Sequence, residues 1–132
     1  MRFTEHELTV ALAGAAKYLL ALQDKEVRRG RRSVDEVWES MDRYARFTVL
    51  DGLSDQVLPA LIALPDAEFE PGAPLTWTDA EIRTAVEERL GDVIGMLKRS
   101  ATIRIRTELV RAALDALPPR QDPDALIVPD HL

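Results

Sequence analysis

The sequence predicts an all-α protein, a bundle of four or five helices with an extended C-terminal tail. The chain has 132 residues, the size of one domain, and no cysteine. Thr4, Ser33 and Thr78 each stand three residues before a glutamate, which is the capping-box pattern that begins helices. Apolar residues recur at helical spacing after each of these three positions. We therefore expect one helical domain over residues 1–120 and a tail over residues 121–132.

The first predicted helix, residues 5–28, is the most apolar part of the chain. Thirteen of the fifteen positions from Leu8 are apolar or glycine, and a helix that is apolar all round is normally buried on every side. We expect it at the centre of the bundle or between two subunits. Ala11 and Ala15 lie one turn apart in it, and small residues at this spacing let helices approach closely. That close contact is either within one chain or between subunits.

Two further helices are predicted before a loop. The second covers residues 34–49 and carries a clear apolar stripe, and the dipeptide Asp51-Gly52 is expected to end it. A short third helix is expected over residues 55–64, with Pro59 in its first turn, where the missing N–H costs little. The prolines and glycine of residues 65–76 predict a loop.

The last two predicted helices cover residues 79–98 and 101–117, with Leu97 and Ile105 on their apolar faces. No helix breaker separates them, so a single long kinked helix also fits. Gly91 and Gly95 lie one turn apart here. Each costs about 1 kcal/mol relative to alanine inside a helix. Close packing against another helix, within the chain or between subunits, would explain them.

The net charge of −6 is unevenly distributed along the chain. A basic cluster follows the first helix and consists of Arg28, Arg29, Arg31 and Arg32. These arginines could bind a phosphate or an acidic partner. Alternatively they belong to a solvated loop and neutralise the negative end of the helix dipole. The rest of the chain is acidic, whereas nucleic-acid binders usually present one dominant basic surface. This argues against nucleic-acid binding, and a helical DNA-associated regulator is kept as an alternative. Oppositely charged stretches also suit faces that meet within the fold or between subunits.

Four carboxylates form the arrangement closest to a metal site. Glu36 and Glu39 share one face of the second predicted helix, and Asp51 and Asp55 follow. Oxygen ligands of this kind hold Mg²⁺. Residues 35–55 resemble the acidic helix motif of the all-α nucleoside-triphosphate pyrophosphohydrolases. The second acidic pair of that family has two intervening residues, whereas Asp51 and Asp55 have three. The resemblance implies a Mg²⁺-dependent nucleotide hydrolase, an alternative to helix capping and ion pairing by the same side chains.

The tail carries an apolar stretch between acids and prolines, namely Leu126, Ile127 and Val128. Such side chains each forgo roughly 1.5–3 kcal/mol when they stay in water. We expect them to lie in a groove of their own domain, of a twin subunit or of another protein, or else to be disordered.

A non-enzymatic assembly or protein-interaction module, in the form of a homodimer, is the function that the sequence favours. There is no phosphate-binding glycine loop, and His6 and His131 have no nearby catalytic partner. We therefore predict no catalytic residue, metal or cofactor. No apolar run is long enough to span a membrane and no secretory leader pattern is present, so the cytoplasm is expected. The partner-binding residues predicted are Ala11, Ala15, Gly91, Gly95, Arg28, Arg29, Arg31, Arg32, Leu126, Ile127 and Val128.

Overall fold

The computed structural model describes residues 1–68, 70–90 and 95–121, and these residues form six helices and no strand. The helices are α1 (Glu5–Gln23), α2 (Lys25–Arg28), α3 (Val34–Ser40), α4 (Arg43–Ala63), α5 (Asp79–Leu90) and α6 (Met96–Asp115). The prediction of an all-α bundle is confirmed. Gly91 and the tail residues Leu126, Ile127 and Val128 lie outside the described residues.

The four longest helices, α1, α4, α5 and α6, run alternately up and down. The N-terminal amino group donates to the Ile62 carbonyl at 3.0 Å, so α1 begins where α4 ends. Arg111, late in α6, pairs with Asp79, the first residue of α5. Helix α1 packs against α4 and α6, and α5 packs against α4 and α6. This is an antiparallel four-helix bundle with α2 and α3 between its first two members.

The core lies between these four helices. Its largest fully buried side chains come from the second half of α4 and the residue after it, from α5 and from α6, and they are Val57, Leu61, Leu64, Ile82, Val86 and Val110. The described part of residues 65–76 contains no helix, as predicted.

Helix α1 is shorter and less buried than predicted. The Asp24 carboxylate accepts hydrogen bonds from the backbone N–H groups of Glu26 and Val27 at 2.9 and 3.0 Å, so it ends α1 and caps α2. Among the apolar side chains of α1, only the alanines at 11, 15 and 16 are buried, while its leucines are half-buried or exposed. Burial of α1 on every side within one chain is therefore wrong, and burial between two subunits stays a prediction. Helix α1 occupies a corner of the bundle and presents its small residues to the core.

The predicted boundary at Asp51-Gly52 is also wrong. The Asp42 carboxylate accepts from the Ala45 N–H at 2.7 Å and begins α4 there, and the helix continues through Gly52. Leu53 and Leu61 are buried along one face of α4. Burial of this face outweighs the roughly 1 kcal/mol cost of one glycine in a helix. Pro59 consequently lies inside α4 and not in the first turn of a separate helix.

Helices α5 and α6 are two antiparallel helices and not one kinked helix. Gly95 has an extended backbone with φ −60° and ψ 156°, and it is the residue that begins α6. A Cβ added to Gly95 would meet nothing within 4 Å. Within the described residues Gly95 therefore makes no close helix contact, and a contact there between subunits stays a prediction.

Candidate interaction surface

The two ends of the bundle differ because α5 is short. Helix α4 has 21 residues and α5 has 12, which correspond to lengths of about 31 and 18 Å. Residues 43–52 of α4 and the start of α6 therefore extend past the last residue of α5. We call this end of the bundle the open end. The opposite end, which holds the N-terminus and Arg120, is the closed end.

Two aromatic side chains project from the open end. Tyr44 is 79% exposed and Phe47 is 61% exposed, and their spacing of three residues makes them neighbours on the surface of α4. Ile62, which is 57% exposed, lies on the same helix at the closed end. Adjacent exposed aromatic side chains are a feature of interaction sites rather than of ordinary protein surface.

Contacts beneath these aromatics fix the start of α4. The Arg46 guanidinium lies 6.0 Å from the centroid of the Trp38 ring, and its Nε donates to the Met41 carbonyl at 3.0 Å. Lys17 and Asp35 form an ion pair at 2.9 Å that joins α1 to α3. Because α3 and the inner face of α4 are held in this way, Tyr44 and Phe47 are left on the outer face.

The start of α6 adds exposed apolar side chains and positive charge. Leu97 is 91% exposed and Ile105 is also exposed, so their predicted places on inward faces are wrong. Residues 96–107 contain four cations and no acid. The first half of α6 is therefore a basic surface with exposed apolar side chains.

The four candidate metal ligands are all exposed. Glu36 and Glu39 lie on α3, whereas Asp51 and Asp55 lie one turn apart on α4 and not in a turn as predicted. Within residues 1–68, 70–90 and 95–121 no three or more histidines and carboxylates are grouped so that they could hold a metal ion. The four carboxylates therefore do not converge.

The basic cluster surrounds Gly30, whose φ of +72° reverses the chain between α2 and α3. Arg28 and Arg29 are exposed. Arg31 lies 3.8 Å from the Glu26 carboxylate, and Arg32 donates to the Ser40 hydroxyl at 3.2 Å. Half of the cluster thus contacts its own chain, as a solvated connecting loop would.

The small residues of α1 contact α6 of the same chain. Ala11 and Ala15 are buried within the domain, so they are not on a surface that a second subunit could reach. Gly14 lies beside them: a Cβ added to it would overlap the Ala116 side chain and would lie 3.1 Å from the Ala112 carbonyl. Sequence reasoning missed the role of Gly14, where α1 and α6 approach too closely to leave room for a side chain.

A furrow runs along the outer side of α6. Its larger part is a groove of about 640 Å³ beside α5, lined by Asp79, Arg83, Leu97, Ser100, Ala101, Ile103, Arg104, Thr107 and Glu108. A second groove of about 260 Å³ shares Asp79, Thr107 and Glu108 with it and continues to Asp115. No sequence pattern predicted this furrow, because its walls come from helices whose boundaries were misplaced.

Hydrogen bonding within the furrow is incomplete. The Tyr18 hydroxyl donates to the Glu108 carboxylate at 3.0 Å, and this hydrogen bond raises the pKa of Tyr18. The Thr107 hydroxyl is buried and has no hydrogen-bond partner in the described part of the chain. Such a group costs about 1–3 kcal/mol.

The closed end is held by an ion pair that sequence reasoning also missed. Glu7 is only 6% exposed, and its two carboxylate oxygens accept from Arg120 at 2.8 and 2.9 Å. Burial alone would raise the pKa of Glu7, but the hydrogen bonds from Arg120 and from the Thr4 N–H outweigh burial, so that the pKa is lowered. Glu7 and Arg120 are distant in sequence, and the capping box explained Glu7 without a second partner.

Comparison of the chain with protein-family models, with curated proteins and with solved structures finds no match. Among the residues that the structure describes, no helix is long and apolar enough to cross a membrane.

Proposed function

We propose that this protein is a non-enzymatic assembly module that forms a homodimer through its open end. The observation that carries the proposal is the exposure of Tyr44 and Phe47 side by side on the outer face of α4, at the open end. This relocates the interface that the sequence suggested, since α1 packs its small residues inside the chain. The cytoplasm is the expected compartment.

Charge complementarity favours a second copy of this chain as the partner. Residues 33–55, which include α3 and the start of α4, carry a net charge of −4, whereas residues 96–107 carry +4. In a twofold dimer every contact between the copies occurs twice, with the roles of the two copies exchanged. The acidic stretch of each copy can therefore face the basic stretch of the other. Two such pairings, related by the symmetry, would neutralise the −4 of residues 33–55 and the +4 of residues 96–107 in both copies.

The size of the surface is consistent with a dimer. Stable interfaces bury about 800 Å² on each partner, and a tyrosine or phenylalanine can supply roughly 150–250 Å² of it. Tyr44 and Phe47 would form the apolar centre. The charged side chains of α3, α4 and α6 would form the polar rim.

Sedimentation velocity at micromolar concentration tests the interface. The native chain should sediment as a dimer of the 14.8 kDa protomer, and Phe47→Arg should be monomeric, because it places a cation at the apolar centre. Ile62→Arg is the matched control, since Ile62 is similarly exposed on the same helix but lies at the closed end. A monomeric native chain, or equal effects of the two substitutions, would refute the proposal.

Salt tests the charged rim of the same interface. The affinity of the dimer should fall several-fold between about 0.05 and 0.5 M NaCl, because exposed charges are screened at the higher concentration. An affinity that is independent of salt would contradict pairing between the acidic and basic stretches.

A further inference from the structure

Exposed apolar side chains occur on two different helices of the open end. Tyr44 and Phe47 lie near the start of α4, and Leu97, which is 91% exposed, is the second residue of α6. Because Tyr44 and Leu97 are both largely exposed, they do not cover one another within one chain. Apolar side chains of this size gain free energy when a partner removes them from water.

An exposed charge lies next to each of these apolar surfaces. Glu39 lies at the end of α3, close along the chain to the start of α4, and Lys98 directly follows Leu97. Neither Glu39 nor Lys98 makes an ion pair in the part of the chain that the structure describes. We call Glu39, Tyr44 and Phe47 the α3–α4 corner, and Leu97 and Lys98 the α6 tip.

The acids nearest to Glu39 have roles within their own chain. Asp35 pairs with Lys17 at 2.9 Å, and the carboxylate of Asp42 caps α4. Glu36 is exposed, but it lies one turn of α3 farther along the chain from the start of α4. Glu39 is therefore the acid of α3 that is best placed to meet a cation beyond the open end.

The two surfaces complement each other in both apolar and charged groups. The α3–α4 corner joins two aromatic side chains to an acid, and the α6 tip joins an aliphatic side chain to a cation. Helices α4 and α6 both begin at the open end. A twofold axis at this end can therefore bring the corner of each copy to the tip of the other.

We propose that the α3–α4 corner of one copy binds the α6 tip of a second copy. Leu97 packs against Tyr44 and Phe47, Lys98 pairs with Glu39, and the contact occurs twice in the dimer. This inference rests on the proposed dimer and specifies which surfaces meet in it. Contact between unlike surfaces also selects a second copy as the partner, because like surfaces would bring equal charges together.

An exchange of charges tests the pairing. Glu39→Lys alone and Lys98→Glu alone should each raise the dissociation constant of the dimer about tenfold, because each replaces two weak attractions with two repulsions. An equal mixture of the two variants should form a heterodimer within about threefold of the native affinity, because both contacts then join opposite charges. Sedimentation equilibrium measures these constants.

Two matched substitutions control for general changes of charge. Arg43→Glu makes the same change as Lys98→Glu at an exposed cation of the open end that belongs to α4 and not to α6. Asp55→Lys makes the same change as Glu39→Lys at an exposed acid about 18 Å along α4 from its first residue. Glu39→Lys mixed with Arg43→Glu, and Asp55→Lys mixed with Lys98→Glu, should not recover the native affinity. Equal recovery in either control mixture would overturn the pairing.

The apolar part of the contact is tested by truncation within α6. Leu97→Ala should raise the dissociation constant about fivefold, because burial of the leucine in the contact is lost. Ile105→Ala is the control, since Ile105 is also an exposed apolar residue of α6 but lies eight residues farther from the open end, and it should change the constant less than about twofold. Equal effects of the two substitutions would contradict contact at Leu97.

The native chain separates this inference from the dimer on which it rests. If the native chain is a dimer and the mixture of Glu39→Lys with Lys98→Glu does not recover its affinity, the pairing is overturned and the dimer stands. If the native chain is monomeric, both are overturned. Circular dichroism establishes that each variant is folded, as expected for substitutions at exposed positions.

Discussion

The closed and open ends of the bundle both carry aromatic and charged side chains, but the two ends differ in how far the aromatic side chains are exposed to solvent. At the closed end, aromatic and charged side chains have partners in the same chain: Phe3 packs on Trp77, and Arg120 pairs with Glu7. At the open end, Tyr44 and Phe47 face solvent. They do so because they lie on the outer face of α4, whereas Trp77 and Glu7 are buried against other parts of the chain. Comparable residues therefore stabilise the fold at one end and form a surface at the other.

Replacement of an aromatic residue should show the largest difference between the ends. Trp77 is buried, its ring centroid lies 6.0 Å from that of Phe3, and its Nε1–H donates to the Pro65 carbonyl at 2.8 Å. Trp77→Ala should lower the free energy of unfolding by about 3–5 kcal/mol, as large-to-small core substitutions do. Urea denaturation at a concentration where the chain is monomeric measures this change.

Phe47→Ala is the matched substitution at the open end. It should change the unfolding free energy of the monomer by less than about 0.5 kcal/mol, because the side chain is exposed. A large loss at Phe47, or a small loss at Trp77, would remove the contrast between the two ends.

The ion pair of the closed end should have the next largest effect. Arg120→Ala leaves the Glu7 carboxylate buried without its cation, and we expect a loss of about 2–3 kcal/mol at pH 7. Arg83→Ala removes the exposed pair with Glu87 and should cost no more than about 0.5 kcal/mol. If the two variants lose equal stability, Arg120 does not hold the closed end.

The effect of Arg120→Ala should depend on pH. The pKa of Glu7 in the folded protein is lowered from 4.5, so its contribution is present above pH 4.5 and is lost as the pH falls through the folded pKa. In the variant, burial without the guanidinium raises that pKa and favours the protonated acid. The stability difference between the native chain and the variant should therefore shrink below pH 4.5, and a constant difference would exclude Glu7 as its source.

The sequence predicted the helix starts best where both members of a capping box were present. Both reciprocal hydrogen bonds form at Thr4 with Glu7 and at Thr78 with Glu81, and the Ser33 hydroxyl accepts from the Glu36 N–H. The breaks at Asp24 and Asp42 were missed because a single capping aspartate has no glutamate three residues later. A local pattern can show where a helix is able to begin, but only packing decides where it continues.

The candidate surfaces were harder to predict because they depend on the relative lengths of helices. The exposure of Leu97 follows from the end of α5 at Leu90, and the sequence placed that end eight residues later. The position of Glu7 was predicted, but its pairing with Arg120 joins the two ends of the chain, and periodicity carries no information about such contacts. Glu36 and Glu39 were placed correctly on a helix, but Asp51 and Asp55 were expected in a turn and lie within α4. The separation of the two pairs in space depends on the break at Asp42, which no local pattern predicted.

Two glycines inside helices offer the smallest and sharpest test of packing. Gly14 of α1 lies against Ala116 and the Ala112 carbonyl, whereas a Cβ added at Gly52 of α4 would meet nothing within 4 Å. Gly14→Ala should therefore destabilise the protein by about 1–3 kcal/mol, because α1 and α6 must move apart. Gly52→Ala should stabilise it by about 0.5–1 kcal/mol, because alanine restricts the unfolded chain and favours the helix. Thermal and urea denaturation measure both changes.

The two stability changes must have opposite signs, because the substitutions are chemically identical and differ only in whether another helix lies within contact distance. A gain of stability at both positions would mean that α1 and α6 are not closely packed at Gly14.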